Sequence, residues 1–363
     1  MVGEVKAKRE RIKYYDTLRF LAILGIIVLH VSQVFHKADL IGDTIYSLSE
    51  ITRFAVPVFL MMTGALLLNR EIELGDFFKR RFTRIIYPFV LFLIIHRIVF
   101  YILGVYYDPS YLNKIFSLPF SYNWYFWLIV GVYFFIPILN KVIQNSNMKE
   151  LEYFVLVILG GSLFYQIMLY FNLVHSIDLS FFIGPISFVV MGYYLSVKKF
   201  NISTNKIITI ALMIFLITSF LKVGGQLDLP YNLFHDYQAT KTKIIKSSLD
   251  LAFVQLLQAG SLFVLIKYVH ESTNGIYLKI RQFFESKVIN KIITSISKAS
   301  YGMYLMDNTF KLLLGILLTD VVLSKPTAIV IWVLTIMLVC IISWLLVIVI
   351  SKIPYLGKWS GYH

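Results

Sequence analysis

Residues 17–35, TLRFLAILGIIVLHVSQVF, decide the fold. An apolar run of about 18 residues or more is long enough to cross the hydrocarbon core of a bilayer as a helix. The run follows a basic stretch holding Lys6, Lys8, Arg9, Arg11 and Lys13, as the apolar part of a secretory leader would. It is too long for a leader, holds Arg19 and His30, and lacks a small-residue cleavage site, so it reads as a retained first span.

Comparable runs recur near 51–68, 84–106, 122–143, 151–172, 179–197, 206–224, 249–269, 300–319 and 326–351. The 363-residue chain is 58% hydrophobic and 15% charged, with a mean hydropathy of +0.75. A water-soluble domain of this length cannot hide that much apolar surface, whereas lipid removes the conflict. The expected fold is an all-α integral membrane bundle of about ten transmembrane helices, a single domain over 1–363 with a basic tail at 1–14. The spans leave no room for a second soluble domain, and no internal repeat is visible. Cys340 is the one cysteine, so no intrachain disulfide forms.

A net charge of +14 could suggest nucleic acid, but the lysines and arginines fall in alternate loops. They cluster in the N-terminal tail, at 70–84, at 198–206 and at 279–298, and those loops share one side if there are ten spans. The exceptions are Lys241, Lys243 and Lys246. The positive-inside rule then puts both termini in the cytoplasm, of a multi-pass protein in the cell membrane.

Ionisable groups at membrane depth cost at least about 2.5 kcal/mol each and usually face a bundle interior or a wet cavity. Arg19 and His30 are eleven residues apart, which brings them onto one stripe of a helix about 16 Å apart along its axis. Either they are a snorkelling arginine and a satisfied interior histidine, or they begin a polar track with the histidine as base. Glu50 and Arg53 open the second span at i,i+3 near the depth of His30, where Glu50 either polarises the imidazole or pairs with Arg53. The segment Phe78 to Pro88 holds Arg80, Arg81 and Arg84 at the entry to the third span. Arginines there suit a phosphorylated ligand through guanidinium forks and the helix dipole, or merely anchor the helix. Asn123 and Trp124 open the fourth span, where an aromatic belt is the default reading. The ninth span carries Ser300, Tyr301, Asp307 and Lys311, with Asp307 and Lys311 at i,i+4 and expected to pair. The histidines are scattered, so no metal-ligand pattern is present.

Taken together, these segments resemble the acyltransferase 3 family of membrane acyltransferases. Tyr15 to His30 matches its signature of arginine, ten residues, histidine. Val56-Pro57-Val58-Phe59 through Thr63-Gly64 resembles its second-span pattern, with Thr63 where serine is common. Phe78 to Pro88 matches its Arg-x-x-Arg entry, Asn123-Trp124 its tryptophan motif, and Ser300-Tyr301-Gly302-Met303-Tyr304-Leu305 its late serine–tyrosine–glycine motif. One departure is Asp307, where many members have histidine.

The resemblance implies a ten-span fold and transfer of an acyl group, often acetyl, from cytoplasmic acyl-coenzyme A. The acceptor it implies is a hydroxyl of a sugar, glycolipid or cell-envelope polymer. On that reading Arg80, Arg81 and Arg84 hold the coenzyme A phosphates. Arg19 guides the pantetheine arm towards His30, which acts as general base or forms a transient acyl-histidine. Arg53, Asn123 or Trp124 stabilises the oxyanion, with Glu50, Ser300, Tyr301 and Asp307 as further candidates around the substrate. The competing expectation is a transporter or exporter of a lipid-linked sugar or polysaccharide, although the paired halves with broken helices of many transporters are not visible.

Overall fold

The computed structural model describes residues 11–104, 124–170, 184–226, 253–273, 275–319 and 321–363. All regular structure among them is helical. In chain order the elements are α1 (Lys13–Lys37), α2 (Asp43–Ser49), a 3-10 turn (Glu50–Phe54), α3 (Ala55–Leu67), α4 (Leu74–Ile102), α5 (Trp124–Gln144) and α6 (Met148–Tyr170). They continue with α7 (Pro185–Val197), α8 (Thr204–Gln226), α9 (Phe253–Glu271), α10 (Gly275–Glu285), α11 (Lys287–Leu317), α12 (Lys325–Lys352) and a 3-10 turn at Gly357–Trp359.

Eight stretches are long and apolar enough to cross a membrane: α1, the stretch from Ile45 to Leu67, α4, α5, α6, α8, α9 and α12. The chain is therefore a multi-pass membrane protein. The expected sixth and ninth spans differ from these eight. Of the sixth, α7 supplies a short apolar helix of 13 residues, and positions 179–183 lie outside the described residues. The ninth falls on α11, which has 31 residues but is too polar to count with the eight. The cause is a set of polar side chains, among them Ser297, Ser300, Asp307, Asn308 and Thr309, all buried. The polar face of α11 thus meets protein, packed against α1, α4 and α12. On α12 the pattern is reversed, and Val330, Leu334, Leu338, Ile341 and Leu345 stay exposed, as suits a lipid-facing helix.

Two helices start earlier than their apolar runs suggest. The N-cap of α4 is Glu73, whose carboxylate accepts the Asp76 backbone N–H at 3.1 Å. The basic segment at 79–84 is thus already helical, and α11 likewise begins at Lys287 and not near 300. Charged side chains in a first turn or two reach water along the helix, so apolar content alone misses those turns.

Helix contacts rely on small residues and polar ties. α3 and α7 touch backbone to backbone: a Cβ on Gly64 would lie 1.8 Å from the Val189 carbonyl oxygen, and one on Gly192 2.1 Å from that of Met61. Such close approach is how membrane helices gain dispersion contact where no hydrophobic force drives them together. The Trp332 and Trp344 indole N–H groups donate to Ser32 Oγ at 3.0 Å and Ser295 Oγ at 3.1 Å, tying α12 to α1 and α11. Lys267 of α9 donates to the carbonyl oxygens of Leu195 and Ser196 at 3.0 Å and of Lys198 at 3.1 Å, capping the C-terminus of α7.

Gly192→Val forces a side chain into the Met61 backbone. It will destabilise the purified protein by about 1–3 kcal/mol or more, read as a lower melting temperature in detergent. Gly131→Ala, where a Cβ meets nothing within 4 Å, is the control that stays near wild type.

Candidate active site

The site grows from the seam between α1 and α11. On α11, Ser297, Ser300, Tyr304, Asp307 and Lys311 recur at spacings of three and four and so form one stripe. On α1, Asp16, Arg19, Ile26 and His30 do much the same. The two stripes meet at both ends. Near the start of α1, Asp16 accepts hydrogen bonds from Ser297 Oγ at 2.7 Å and from Arg11 at 2.5 and 2.7 Å. Further along, His30 Nδ1 is hydrogen-bonded to Asp307 Oδ2. Asp307 is buried, and Lys311 Nζ lies 3.9 Å from the same oxygen. With Nδ1 held by a carboxylate, Nε2 is the ring nitrogen left to exchange a proton, the geometry of an oriented general base.

Two cavities flank this seam. The first, of about 380 Å³, has Arg19, Arg81, Arg84 and Lys298 in its wall and no acidic side chain among the described residues. Arg81 and Arg84 make no ion pair with a described residue, and Arg19 is 3.8 Å from Asp16, whose oxygens are taken up by Arg11 and Ser297. A concentration of cations with so little internal compensation suits a polyanion. The C-terminal segment closes one side. Gly361 adopts φ +73°, and a Cβ on Gly302 would lie 2.4 Å from the Ser360 carbonyl oxygen, so the glycine of the Ser300-Tyr301-Gly302 segment admits this strap against α11. The His363 backbone N–H donates to the Lys298 carbonyl at 2.9 Å. Burial lowers the His363 imidazole below its ordinary value.

The second cavity, of about 300 Å³, is lined by His30, Arg53, Trp124 and Gln255 together with apolar residues of α1, α3, α5 and α7. It is mostly apolar, with few polar groups converging on it, as ligand sites generally are. Ile26 and Tyr304 belong to the walls of both cavities. The cation-lined space and the histidine-lined space are therefore neighbours across a partition.

The residues singled out from sequence distribute as follows. Arg19, Arg81 and Arg84 line the first cavity with Ser300 and Tyr301, while His30, Arg53 and Trp124 line the second. Arg80 is absent from both walls; it is exposed and bonded to Asp76 at 2.6 Å, one helical turn back. The helix-dipole argument for the arginines also fails. Arg81 and Arg84 lie well inside α4, and the dipole acts only over the first turn. Glu50 is buried and bound to Arg53, so Asp307, and not Glu50, orients His30. The expected Asp307–Lys311 pair is present only as a long contact beside that bond. The Ser300 hydroxyl donates to the Ser297 carbonyl within α11 and that of Tyr301 to the Ile85 carbonyl of α4, both at 2.9 Å, so the first is spent inside its own helix and the second ties two helices together. Asn123 lies outside the described residues. Lys298, His363 and the position of Tyr304 do not stand out in the sequence; the three-four spacing along α11 is the available signal for Tyr304.

The sequence pattern of the acyltransferase 3 family, described as an acyltransferase domain, matches residues 12–348. No curated protein and no solved structure matches the chain. The match takes in α1 with its arginine and histidine, the basic segment of α4, and α11 with the aspartate that holds the histidine, so the chain belongs to the acyltransferase 3 family of membrane acyltransferases.

Proposed function

We propose that the protein moves an acyl group, acetyl first among the candidates, from acyl-coenzyme A to a hydroxyl of a sugar, glycolipid or cell-envelope polymer. The observation that carries this reading is the pair of adjoining cavities, one walled by cations with little internal compensation and the other by a carboxylate-held histidine. Arg81, Arg84, Lys298 and Arg19 offer charge-assisted hydrogen bonds to the phosphates of coenzyme A. The pantetheine arm runs along the α1–α11 seam and brings the thioester to the partition. His30 Nε2 takes the proton of the acceptor hydroxyl as oxygen attacks the thioester carbon, and Asp307 stabilises the imidazolium that forms. The same proton then goes to the departing sulfur. Arg53 stands in the second cavity, where the acceptor enters.

Topology belongs to the same proposal. Ten crossings result when α7 and α11 are counted with the eight apolar stretches, and the basic ends then share the cytoplasmic side with both termini. The cation-lined cavity opens towards cytoplasmic coenzyme A, and His30 lies in the outer half, towards an extracytoplasmic or lipid-linked acceptor in the cell membrane.

Purified protein incubated with labelled acetyl-coenzyme A and a panel of glycans and glycolipids tests the reading. His30→Ala will lose transfer by ~10²- to 10⁴-fold with coenzyme A binding retained; undiminished transfer would remove His30 from the chemistry.

Arg81→Ala with Arg84→Ala will weaken coenzyme A binding by ~10- to 100-fold or more, as expected for two charged hydrogen bonds. Isothermal titration is the check, and unchanged affinity would dismiss the phosphate clamp. Arg80→Ala will bind coenzyme A as wild type does, because that side chain points elsewhere.

A further inference from the structure

Tyr304 is more than 90% buried, and its hydroxyl makes no hydrogen bond to a described residue. The Tyr125 backbone lies near it but outside hydrogen-bond geometry. A buried hydroxyl without a partner costs about 1–3 kcal/mol and calls for an explanation. Its neighbours do not supply one. Its ring is packed edge-on against that of Tyr125, with centroids 5.4 Å apart, so the aromatic body is held while the polar tip is left over. Ser297 is engaged with Asp16, Ser300 with the Ser297 carbonyl, and Asp307 with His30 through Oδ2, its buried Oδ1 also making no hydrogen bond to a described residue.

The position of that hydroxyl matters more than its lack of a partner. Tyr304 and Ile26 are the residues common to the walls of both cavities. Anything passing from the cation-lined side to the histidine side separates these two side chains, and in doing so uncovers the one polar atom in the partition. Tyr304 also lies one turn before Asp307 on the same face of α11, hence one turn from the carboxylate that fixes His30.

We propose that the Tyr304 hydroxyl is a catalytic hydrogen-bond donor to the thioester carbonyl oxygen, and that the Ile26–Tyr304 partition is the point at which the acyl group changes cavities. This rests on the acyl-coenzyme A reading above. The acceptor oxygen forms a bond to the thioester carbon, and the carbonyl electron pair moves onto its oxygen, where the Tyr304 O–H donates to the developing negative charge. The acceptor proton passes to His30 Nε2. Collapse of the tetrahedral intermediate restores the carbonyl, breaks the carbon–sulfur bond, and sends that proton to the coenzyme A sulfur. Tyr304 keeps its own proton throughout. The hydroxyl makes a better hydrogen bond to an oxyanion than to a ground-state carbonyl, which is the condition for acceleration.

The test measures steady-state transfer from labelled acetyl-coenzyme A to the panel member that wild type labels best, with melting temperature and coenzyme A affinity taken on the same samples. Tyr304→Phe removes one oxygen that bonds to no described residue, so melting temperature and coenzyme A affinity stay near wild type. The kcat falls ~10²- to 10³-fold, the loss typical of an oxyanion donor, with little change in KM for acetyl-coenzyme A. A wild-type kcat in a folded Tyr304→Phe overturns the proposal, as does a loss confined to KM. 3-Fluorotyrosine placed at 304 is the second variant, keeping shape and hydroxyl while strengthening the donor. It raises kcat at constant KM and melting temperature, and an unmoved kcat overturns the proposal even if Tyr304→Phe fails to fold. If folded wild type neither binds acetyl-coenzyme A nor transfers its label, the donor reading fails and Tyr304 loses this role with it. If wild type transfers and the variants match it, only the role of Tyr304 fails.

Discussion

Ionisable groups in a bilayer must be paired or kept wet, and in this protein α1 and α11 meet that demand jointly. Asp16, Arg19 and His30 on one helix face Ser297, Tyr304, Asp307 and Lys311 on the other. Neither helix could present its stripe to lipid without a penalty of several kcal/mol per charge. The stripes therefore fix that these two helices adjoin, with α3 and α9 packed on α1, α4 on α11, and α12 on both. The tryptophan ties of α12 secure that pair, and the backbone contact of α3 with α7 extends the bundle beyond it.

The same constraint separates two kinds of polar residue. Some are consumed by structure, as Tyr301 is on the Ile85 carbonyl and Lys267 on the end of α7. Others retain unused valence beside empty volume, as Arg81, Arg84 and the free nitrogen of His30 do. Membership of the family tells what class of reaction to expect, and the division between spent and available groups tells which residues are free to perform it.

Much of this is legible in the amino-acid order alone. The eleven-residue interval from Arg19 to His30 is a statement about helical period, and period survives folding. The extents of α4 and α11 are not legible from apolar content, because their first turns carry charge that reaches water. Partners are the hardest to read. Asp307 has a tempting neighbour at i,i+4 in Lys311, whereas its true partner His30 is 277 residues away in sequence. Glu50 and Arg53, close in sequence, do pair, which is one of the two outcomes their spacing allows. Arg80 shows the converse hazard: it shares a face with Arg84 at i,i+4, but its guanidinium is taken up by Asp76 one turn back and does not reach the cavity.

The thinness of the wall between the two cavities has an electrical side. Where water enters a membrane protein from both ends, the membrane potential falls mainly across what remains dry, which on the proposed topology is the partition of Ile26 and Tyr304 shared by the two cavities. An elementary charge crossing that layer would experience about 2.3 kcal/mol per 100 mV. On the proposed reading, a thioester carbonyl carries no net charge and crosses without that toll, while the phosphates stay with the arginines on their own side. On the proposed acyl-coenzyme A reading, the partition sorts the donor by charge: its neutral, reactive end passes and its anionic end does not, so an activated acyl group is exposed to the far side of the membrane while the carrier and the field are held back.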